Sequence, residues 1–172
     1  NDEVLRRMHR RGTSADVRRI LNKSRAMGLT LRTSLIVGFP GETEAQFQEL
    51  LDFVREERFD RMGAFAYSPE EDTPAAAMPD QIPEEVKQDR LDRLMTLQAQ
   101  ISLENNQKRV GATEKVLVTD AKDGFYLGRS EREAPDADGA IVFTAAQAPT
   151  IGEFVQVKIT GADTYDLKGE RV

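Results

Sequence analysis

The stretch SLIVGFPGETEAQF, residues 34–47, constrains the fold of this chain more than any other segment. Its run Leu35–Val37 is typical of a strand buried on both faces, and Gly38–Gly41 then predicts a tight turn. Glu42–Glu44 resemble the first turn of a helix. The apolar residues that follow have helical spacing: Phe47, Leu50, Leu51 and Val54. In α/β proteins such a strand-turn-helix unit binds small molecules at the turn, although a merely tight connection fits the motif equally well.

A second strand follows this unit. The helix is predicted over about Glu44–Glu57 and the strand over Met62–Tyr67, where Pro69 soon ends the pairing. Two more helices precede the unit, at Asp2–Arg11 and from Thr13 to Gly28. Two parallel strands cannot close a sheet by themselves. We therefore expect the first 110 residues to be a fragment of a larger α/β barrel, or to self-associate through their unpaired strands.

The composition changes after a helix of some 25 residues that starts at Glu84. Beyond residues 105–112 the chain has short β-rich runs separated by Gly, Asp and Pro. The predicted strands are Glu114–Thr119, Phe125–Ser130, Gly139–Phe143, Phe154–Ala162 and Tyr165–Glu170. They predict a small antiparallel five-stranded β-barrel resembling the oligonucleotide-binding fold. The expected domains are residues 1–108, with the long linking helix, and residues 109–172.

Composition excludes several kinds of chemistry. The 172 residues contain no cysteine, which excludes disulfides, thiolate zinc sites and cysteine-held iron-sulfur clusters within them. The single histidine, His9, has no partner ligand near it in sequence and is predicted to be structural or exposed. No apolar run is long enough for a membrane span, and because the N-terminus is polar from the first residue we expect no secretory signal. The absence of Met at position 1 suggests an excised or processed piece, although a tag-cleavage scar would give the same N-terminus.

Three separated blocks carry a family resemblance: MHRRGT, RTSLIVGFPGETEAQFQELLDFVREERFDRMGAFAYSPEEDTPAA and GRSEREAPDADG. Together they resemble the C-terminal part of the radical S-adenosylmethionine (SAM) methylthiotransferases, in the branch that modifies an aspartate of small ribosomal subunit protein twelve. The resemblance implies the end of a TIM-like α/β radical SAM barrel followed by a TRAM domain, which is a small β-barrel. It also implies SAM and two 4Fe-4S clusters in a full-length cytoplasmic enzyme. Because the cluster cysteines would lie upstream, we expect this chain alone to bind no cofactor, supply no catalytic or metal-binding residue, and be inactive.

The same resemblance places the SAM site along the first strand and its turn. It implies that Glu42 steadies the turn and that Arg32 can fork onto the methionyl carboxylate. Arg10 and Arg11 are weaker candidates, since a basic helix face is usually just solvated. For Tyr67, core packing is an equally good interpretation. The predicted cofactor-binding residues are Arg32, Ile36, Val37, Gly38, Phe39, Gly41, Glu42 and Tyr67.

Charge bears on the choice of partner. The chain has 24 basic and 30 acidic residues, a net charge of -6, which argues against a chain built to coat nucleic acid. From residue 112 to the end, the chain has 7 basic and 11 acidic residues, which gives a net charge of 7 - 11 = -4. Such a barrel repels RNA on average and suits a basic partner such as ribosomal protein twelve, although a local basic stripe is compatible with that average.

The acidic loop SEREAPDADG is the predicted contact for that partner. Its candidate docking residues are Glu131, Glu133, Asp136 and Asp138. A solvated acidic loop is the alternative interpretation. Two other functions remain open at this point: tRNA adenosine methylthiolation with an RNA-binding TRAM domain, and a docking module without chemistry.

Overall fold

The computed structural model describes all residues from 1 to 172. Contacts divide the chain into two compact units, Asn1–Ile101 and Ser102–Val172. The domain division expected from the sequence, after residue 108, falls seven residues later (108 - 101). The difference arises because one long helix, Glu84–Gln107, contains the dividing point.

The first unit is a βαβ unit flanked by helices, as predicted. Its elements are α1 (Asp2–Arg7), α2 (Ser14–Ala26), β1 (Arg32–Val37), α3 (Glu44–Glu57), β2 (Arg61–Ala66) and the greater part of α4 (Glu84–Gln107). Capping boxes at Thr13 and Thr43 start α2 and α3. Helix α1 ends earlier than expected, because His9 has a positive φ of 53° and interrupts the helix before Gly12.

Strands β1 and β2 form a parallel two-stranded sheet, in register from Arg32 opposite Arg61 to Val37 opposite Ala66. One face of this sheet packs on the helices. That core includes the fully buried side chains of Val37, Phe47, Val54 and Leu94. The other face is open, and Phe65 on it is 61% exposed. The α/β part is therefore a partial sheet with one side uncovered.

The second unit is a closed barrel of five strands in the order β3-β4-β5-β7-β6. The strands are β3 (Thr113–Lys122), β4 (Phe125–Arg129), β5 (Ile141–Thr144), β6 (Phe154–Ala162) and β7 (Leu167–Arg171). Four of the neighbouring pairs are antiparallel, whereas β5 and β7 are parallel. The prediction of an entirely antiparallel barrel was wrong on this point. A closed ring with an odd number of strands cannot alternate direction throughout, so at least one pair must be parallel.

Alternation along the strands fills the barrel. In β6, Val155, Val157 and Ile159 point inward and are buried, while the residues between them are exposed. The rest of this core comes from the other strands: Val116, Val118, Ile141, Phe143 and Leu167. No helix in the whole chain combines the length and the apolar character needed to cross a membrane.

Candidate functional site

The turn after β1 is held by its own backbone and by one carboxylate. Gly38 and Gly41 both have a φ of 74°, in the left-handed region that favours glycine. The Glu42 amide donates to the Phe39 carbonyl oxygen at 2.9 Å, and the Gly38 amide donates to Glu42 Oε1 at 2.9 Å. The side chain of Glu42 thus reaches back across the turn and fixes the point where β1 ends.

Arg90 of α4 completes this arrangement. Its Nη1 donates to Glu42 Oε1 at 2.9 Å and to the Glu42 carbonyl oxygen at 3.1 Å, and both side chains are buried. Burial raises the pKa of Glu42, and this effect outweighs the Gly38 amide and the Arg90 guanidinium, which act to lower it. Sequence reasoning missed Arg90. The only sign of its role in the sequence is that a basic residue lies close to the apolar stripe of a long helix.

A second basic side chain of α4 also lies at the ends of the strands. Lys87 is buried, donates from Nζ to the Tyr67 carbonyl oxygen at 2.9 Å, and pairs with Glu84 at 2.6 Å. Its methylene stem occupies the space that a Cβ on Gly38 would need. In the same way, the Arg7 guanidinium occupies the space that a Cβ on Gly41 would need. It donates to the Pro40 carbonyl oxygen at 3.0 Å.

These contacts change the meaning of the two glycines. From the sequence alone, the two glycines are expected to leave room for a ligand to approach the turn. Here the room beside Gly38 and Gly41 is taken by side chains of the chain itself, so internal packing already requires both glycines. A ligand at this turn would therefore not sit beside the two glycines and would contact other backbone and aromatic groups of the turn.

The predicted cofactor residues fall into two groups. Val37, Gly38, Phe39 and Glu42 are buried at the end of β1, where the Tyr67 amide donates to the Val37 carbonyl oxygen at 2.8 Å. The rings of Phe39 and Tyr67 meet edge to face, with centroids 5.3 Å apart. The Tyr67 Oη is buried and has no hydrogen-bond partner in the chain. A buried hydroxyl of this kind is what a bound polar group or water would satisfy.

Arg32 lies at the far end of β1 from this cluster. Its side chain is exposed on the open sheet face, which it shares with the half-buried Ile36 because residues four apart in a strand point the same way. Across the sheet Arg32 is opposite Arg61. The structure thus brings the turn and Tyr67 together and leaves Arg32 about a strand length, roughly 17 Å, away.

The acidic loop of the barrel is built on a buried ion pair. Glu133 Oε1 accepts from Arg109 Nη1 at 2.6 Å, and Glu133 Oε2 accepts from the Ser130 amide at 2.9 Å and the Ser130 hydroxyl at 2.7 Å. Arg109 also donates to both carboxylate oxygens of Glu114, at 2.9 and 2.7 Å. Burial acts to raise the pKa of Glu133, but the bonds from Arg109 and Ser130 outweigh it and lower the pKa.

This geometry corrects the expectation for Glu133, which is buried and uses its charge internally. Glu131 and Asp136 are exposed, and Asp136 has a left-handed φ of 58°. Asp138 is half-buried and accepts from the Ala134 amide at 2.7 Å. Glu133 was mistaken for a surface acid because the sequence around it is a run of charges and the Arg109 partner lies 24 residues earlier.

Comparison with known proteins connects both regions to one family. Residues 1–54 match the radical SAM superfamily, and residues 110–172 match the TRAM domain. Along its whole length the chain is 51% identical to a protein of Heliobacterium modesticaldum and 50% identical to one of Desulfitobacterium hafniense. Both are named ribosomal protein uS12 methylthiotransferase RimO. Along its whole length the chain is thus similar to radical SAM methylthiotransferases.

The matched part of these relatives is limited. The chain spans 38% of the Heliobacterium protein and 39% of the Desulfitobacterium protein. A Geobacter sulfurreducens protein of the same name is 46% identical over 99% of the chain, which covers 39% of that protein. Radical SAM proteins of this family use SAM and 4Fe-4S clusters. The chain contains no cysteine, and none of its 172 residues belong to a group of His, Cys, Asp or Glu side chains that could hold a metal ion.

Proposed function

We propose that this chain is part of a cytoplasmic radical SAM enzyme that methylthiolates the β-carbon of an aspartate in ribosomal protein uS12. The observation that supports this most directly is the identity of about one half, along the entire chain, to proteins named for that activity. In this proposal residues 1–108 complete the α/β barrel of the enzyme, and residues 109–172 are a TRAM domain that docks the substrate. The cluster-binding cysteines would come from other parts of the protein, so the chain alone is inactive.

The turn after β1 would form one side of the SAM site. The cofactor and its clusters supply the radical and sulfur chemistry when bound, and the protein positions them. The unpartnered Tyr67 hydroxyl and the neighbouring Phe39 ring offer a polar and an aromatic contact. Glu42 holds the turn through Gly38. The full proposed set is Arg32, Ile36, Val37, Gly38, Phe39, Gly41, Glu42 and Tyr67, supported from α4 by Lys87 and Arg90.

The acidic loop of the TRAM domain would recognise the basic protein substrate. Glu131 and Asp136 are exposed to solvent, and the half-buried Asp138 accepts from the Ala134 amide and adds negative charge to the loop. Glu133 supports them indirectly, since its buried pair with Arg109 fixes the loop to the barrel. Complementary charge of this kind raises encounter rates and selects partners more than it adds affinity.

Titration of the 172-residue chain tests the docking proposal. Purified uS12 and a tRNA are each titrated at about 50 mM and about 200 mM salt. We expect saturable binding of uS12 that the double variant Glu131→Gln/Asp136→Asn weakens several-fold. The matched control, Glu85→Gln/Asp92→Asn, neutralises two exposed acids of α4 and should leave binding unchanged.

The same titrations can contradict the proposal. If the loop variant and the α4 variant lose the same amount of affinity for uS12, only the average charge of the chain attracts uS12. Tighter binding of folded tRNA than of uS12, with a steep salt dependence, would favour tRNA adenosine methylthiolation instead. Binding of uS12 by a full-length protein that carries its clusters yet transfers no methylthio group would leave only a docking module.

The open sheet leads to a proposal about self-association. Each of the two strands has one edge that no other strand of the chain pairs. Such edges promote pairing with another copy. We expect the isolated chain to form dimers or larger species in light scattering, and a strictly monomeric chain at high concentration would contradict this.

A further inference from the structure

The open face of the sheet formed by β1 and β2 carries three pairs of residues in register. The pairs are Arg32 with Arg61, Ser34 with Gly63, and Ile36 with Phe65. Side chains alternate between the two faces along each strand, so these residues lie on the face away from Leu35 and Val37, which pack with the helices. The six paired residues are called the open-face strip.

The open-face strip changes from cationic to apolar along its length. At the start of the strands Arg32 is exposed and Arg61 is half-buried, whereas Phe65 is exposed near the turn after β1. Between these ends, a Cβ added to Gly63 would meet no atom within 4 Å, so the middle of the strip is open. A ligand lying along the strip would contact two cations at one end and apolar side chains towards the turn.

The pairing of two arginines is the unusual feature of the strip. Neighbouring strands are about 4.8 Å apart, and arginine is not deprotonated in proteins. Like charges directly opposite each other in a sheet are destabilising. The strip itself contains no acidic residue. The adjacent Asp60 accepts from the Leu31 amide through Oδ2 at 2.8 Å and from Arg61 Nη1 through its carbonyl oxygen at 3.0 Å. A bound anion would turn the repulsion between the two guanidinium groups into attraction.

We propose that Arg61 and Arg32 bind the side-chain carboxylate of the aspartate that the enzyme modifies. This inference rests on the proposed function and adds the residues that recognise its target. A guanidinium can form two parallel hydrogen bonds with one carboxylate. The carboxyl carbon is bonded directly to the β-carbon, so a fixed carboxylate also fixes the position of the reacting carbon. The two arginines are therefore positioning residues that distinguish aspartate from asparagine.

Other anions fit the pair less well. The base of adenosine is uncharged, so a tRNA methylthiotransferase would have no charged group on its target base for these cations. The methionyl carboxylate of SAM is a second possible carboxylate, and the proposed cofactor set includes Arg32. Both arginines, however, lie about a strand length, roughly 17 Å, from the turn that would bind SAM. This separation favours the carboxylate of the substrate.

Equilibrium binding of uS12 to the full-length protein tests the proposal. Natural uS12 is compared with a uS12 variant whose target aspartate is replaced by asparagine. We expect the natural enzyme to prefer the aspartate form about tenfold or more, and Arg32→Gln/Arg61→Gln to bind both forms equally. Arg61→Lys keeps the charge but loses the paired hydrogen bonds, so it should retain part of the preference. The control, Arg19→Gln/Arg55→Gln, neutralises two exposed helical arginines and should retain all of it.

The preference is a ratio of two affinities, and a merely structural defect that weakens both forms does not change it. An undiminished preference in Arg32→Gln/Arg61→Gln, or an equal loss of preference in the control, would overturn the proposal. Weaker binding of SAM by Arg61→Gln with the preference intact would assign the pair to the methionyl carboxylate. Weaker binding of tRNA with the preference intact would assign it to a phosphate.

The failure of this inference can be told apart from the failure of the proposed function. A natural protein that methylthiolates uS12 but binds its aspartate and asparagine forms equally would contradict only the role of the arginine pair. A natural protein that carries its clusters and neither binds nor modifies uS12 would contradict both.

Discussion

Two buried Arg–Glu pairs, one in each unit of the molecule, have the same construction and opposite protonation behaviour. In the α/β unit Glu42 accepts from the Gly38 amide and from Arg90, and its pKa is raised. In the barrel Glu133 accepts from Arg109 and from both the amide and the hydroxyl of Ser130, and its pKa is lowered. Both carboxylates are buried. The number and type of donors, rather than burial, therefore decides which form of the carboxylate the fold favours.

The largest expected effect comes from removing the arginine of each pair. Arg109→Met leaves Glu133 as an uncompensated buried charge, which should destabilise the barrel by about 3–5 kcal/mol. Arg90→Met should have a smaller effect, because Glu42 already has a raised pKa and can take up a proton more easily. Hydrogen exchange resolved by segment measures both losses separately, since two units need not unfold as one.

The double variant Arg109→Met/Glu133→Gln serves as the control for this comparison. It removes the buried Glu133 charge together with Arg109 but leaves Glu114 without its arginine, so it should recover only part of the lost protection. If Arg90→Met destabilises its unit as much as Arg109→Met does the barrel, the two pairs are equivalent and the contrast drawn from their pKa directions is wrong.

Gly→Ala substitutions in the strands compare the free space around the closed barrel with that on the open two-stranded sheet. A Cβ on Gly128 of β4 would lie 2.6 Å from the Leu117 carbonyl oxygen, and backbone in a closed barrel cannot easily move away. Gly128→Ala should therefore cost about 1–3 kcal/mol. At Gly63 of β2 no atom lies within 4 Å of an added Cβ, so Gly63→Ala should be neutral or stabilise by about 0.5 kcal/mol. Thermal unfolding followed by circular dichroism measures both. An equally large loss for Gly63→Ala would show that a second copy covers the open face.

Local patterns predicted the elements well and their long-range partners poorly. Helix Glu44–Glu57 and strand Phe154–Ala162 have the predicted bounds, because a capping threonine marks the helix and strict alternation marks the strand. The parallel pairing of β5 with β7 could not be found in the same way. It follows from barrel closure, which depends on all five strands together.

The sites show the same division between local and distant information. Glu42 follows its turn directly, so sequence could assign it to the turn, but Arg90 comes 48 residues later. In the sequence Glu133 is one of four similar loop acids, whereas in the structure it alone forms a buried ion pair with Arg109. Gly38 was correctly placed in a turn, but the side chain that packs against it, Lys87, belongs to another helix. Sequence could place these residues in a turn and in a loop, but it could not say which of their side chains were already engaged by distant residues.

The smallest effects, and the most direct test of the opening contrast, are those of pH. The pKa of Glu133 lies below the ordinary value of 4.5, so its ionisation stabilises the barrel above that pH, and this contribution is lost as the pH falls through the lowered pKa. The pKa of Glu42 lies above 4.5, so its contribution is present below that pH and is lost as the pH rises through the raised pKa. At neutral pH Glu133→Gln should thus destabilise by about 1–2 kcal/mol, and Glu42→Gln should change little. As the pH falls, the difference in unfolding free energy between the natural chain and the Glu133→Gln variant should shrink. Over the same range the natural chain should become more stable relative to the Glu42→Gln variant. Urea unfolding of the three proteins from pH 7 to about pH 2 gives both differences, and a change of the same sign in both would contradict the proposed role of the donors.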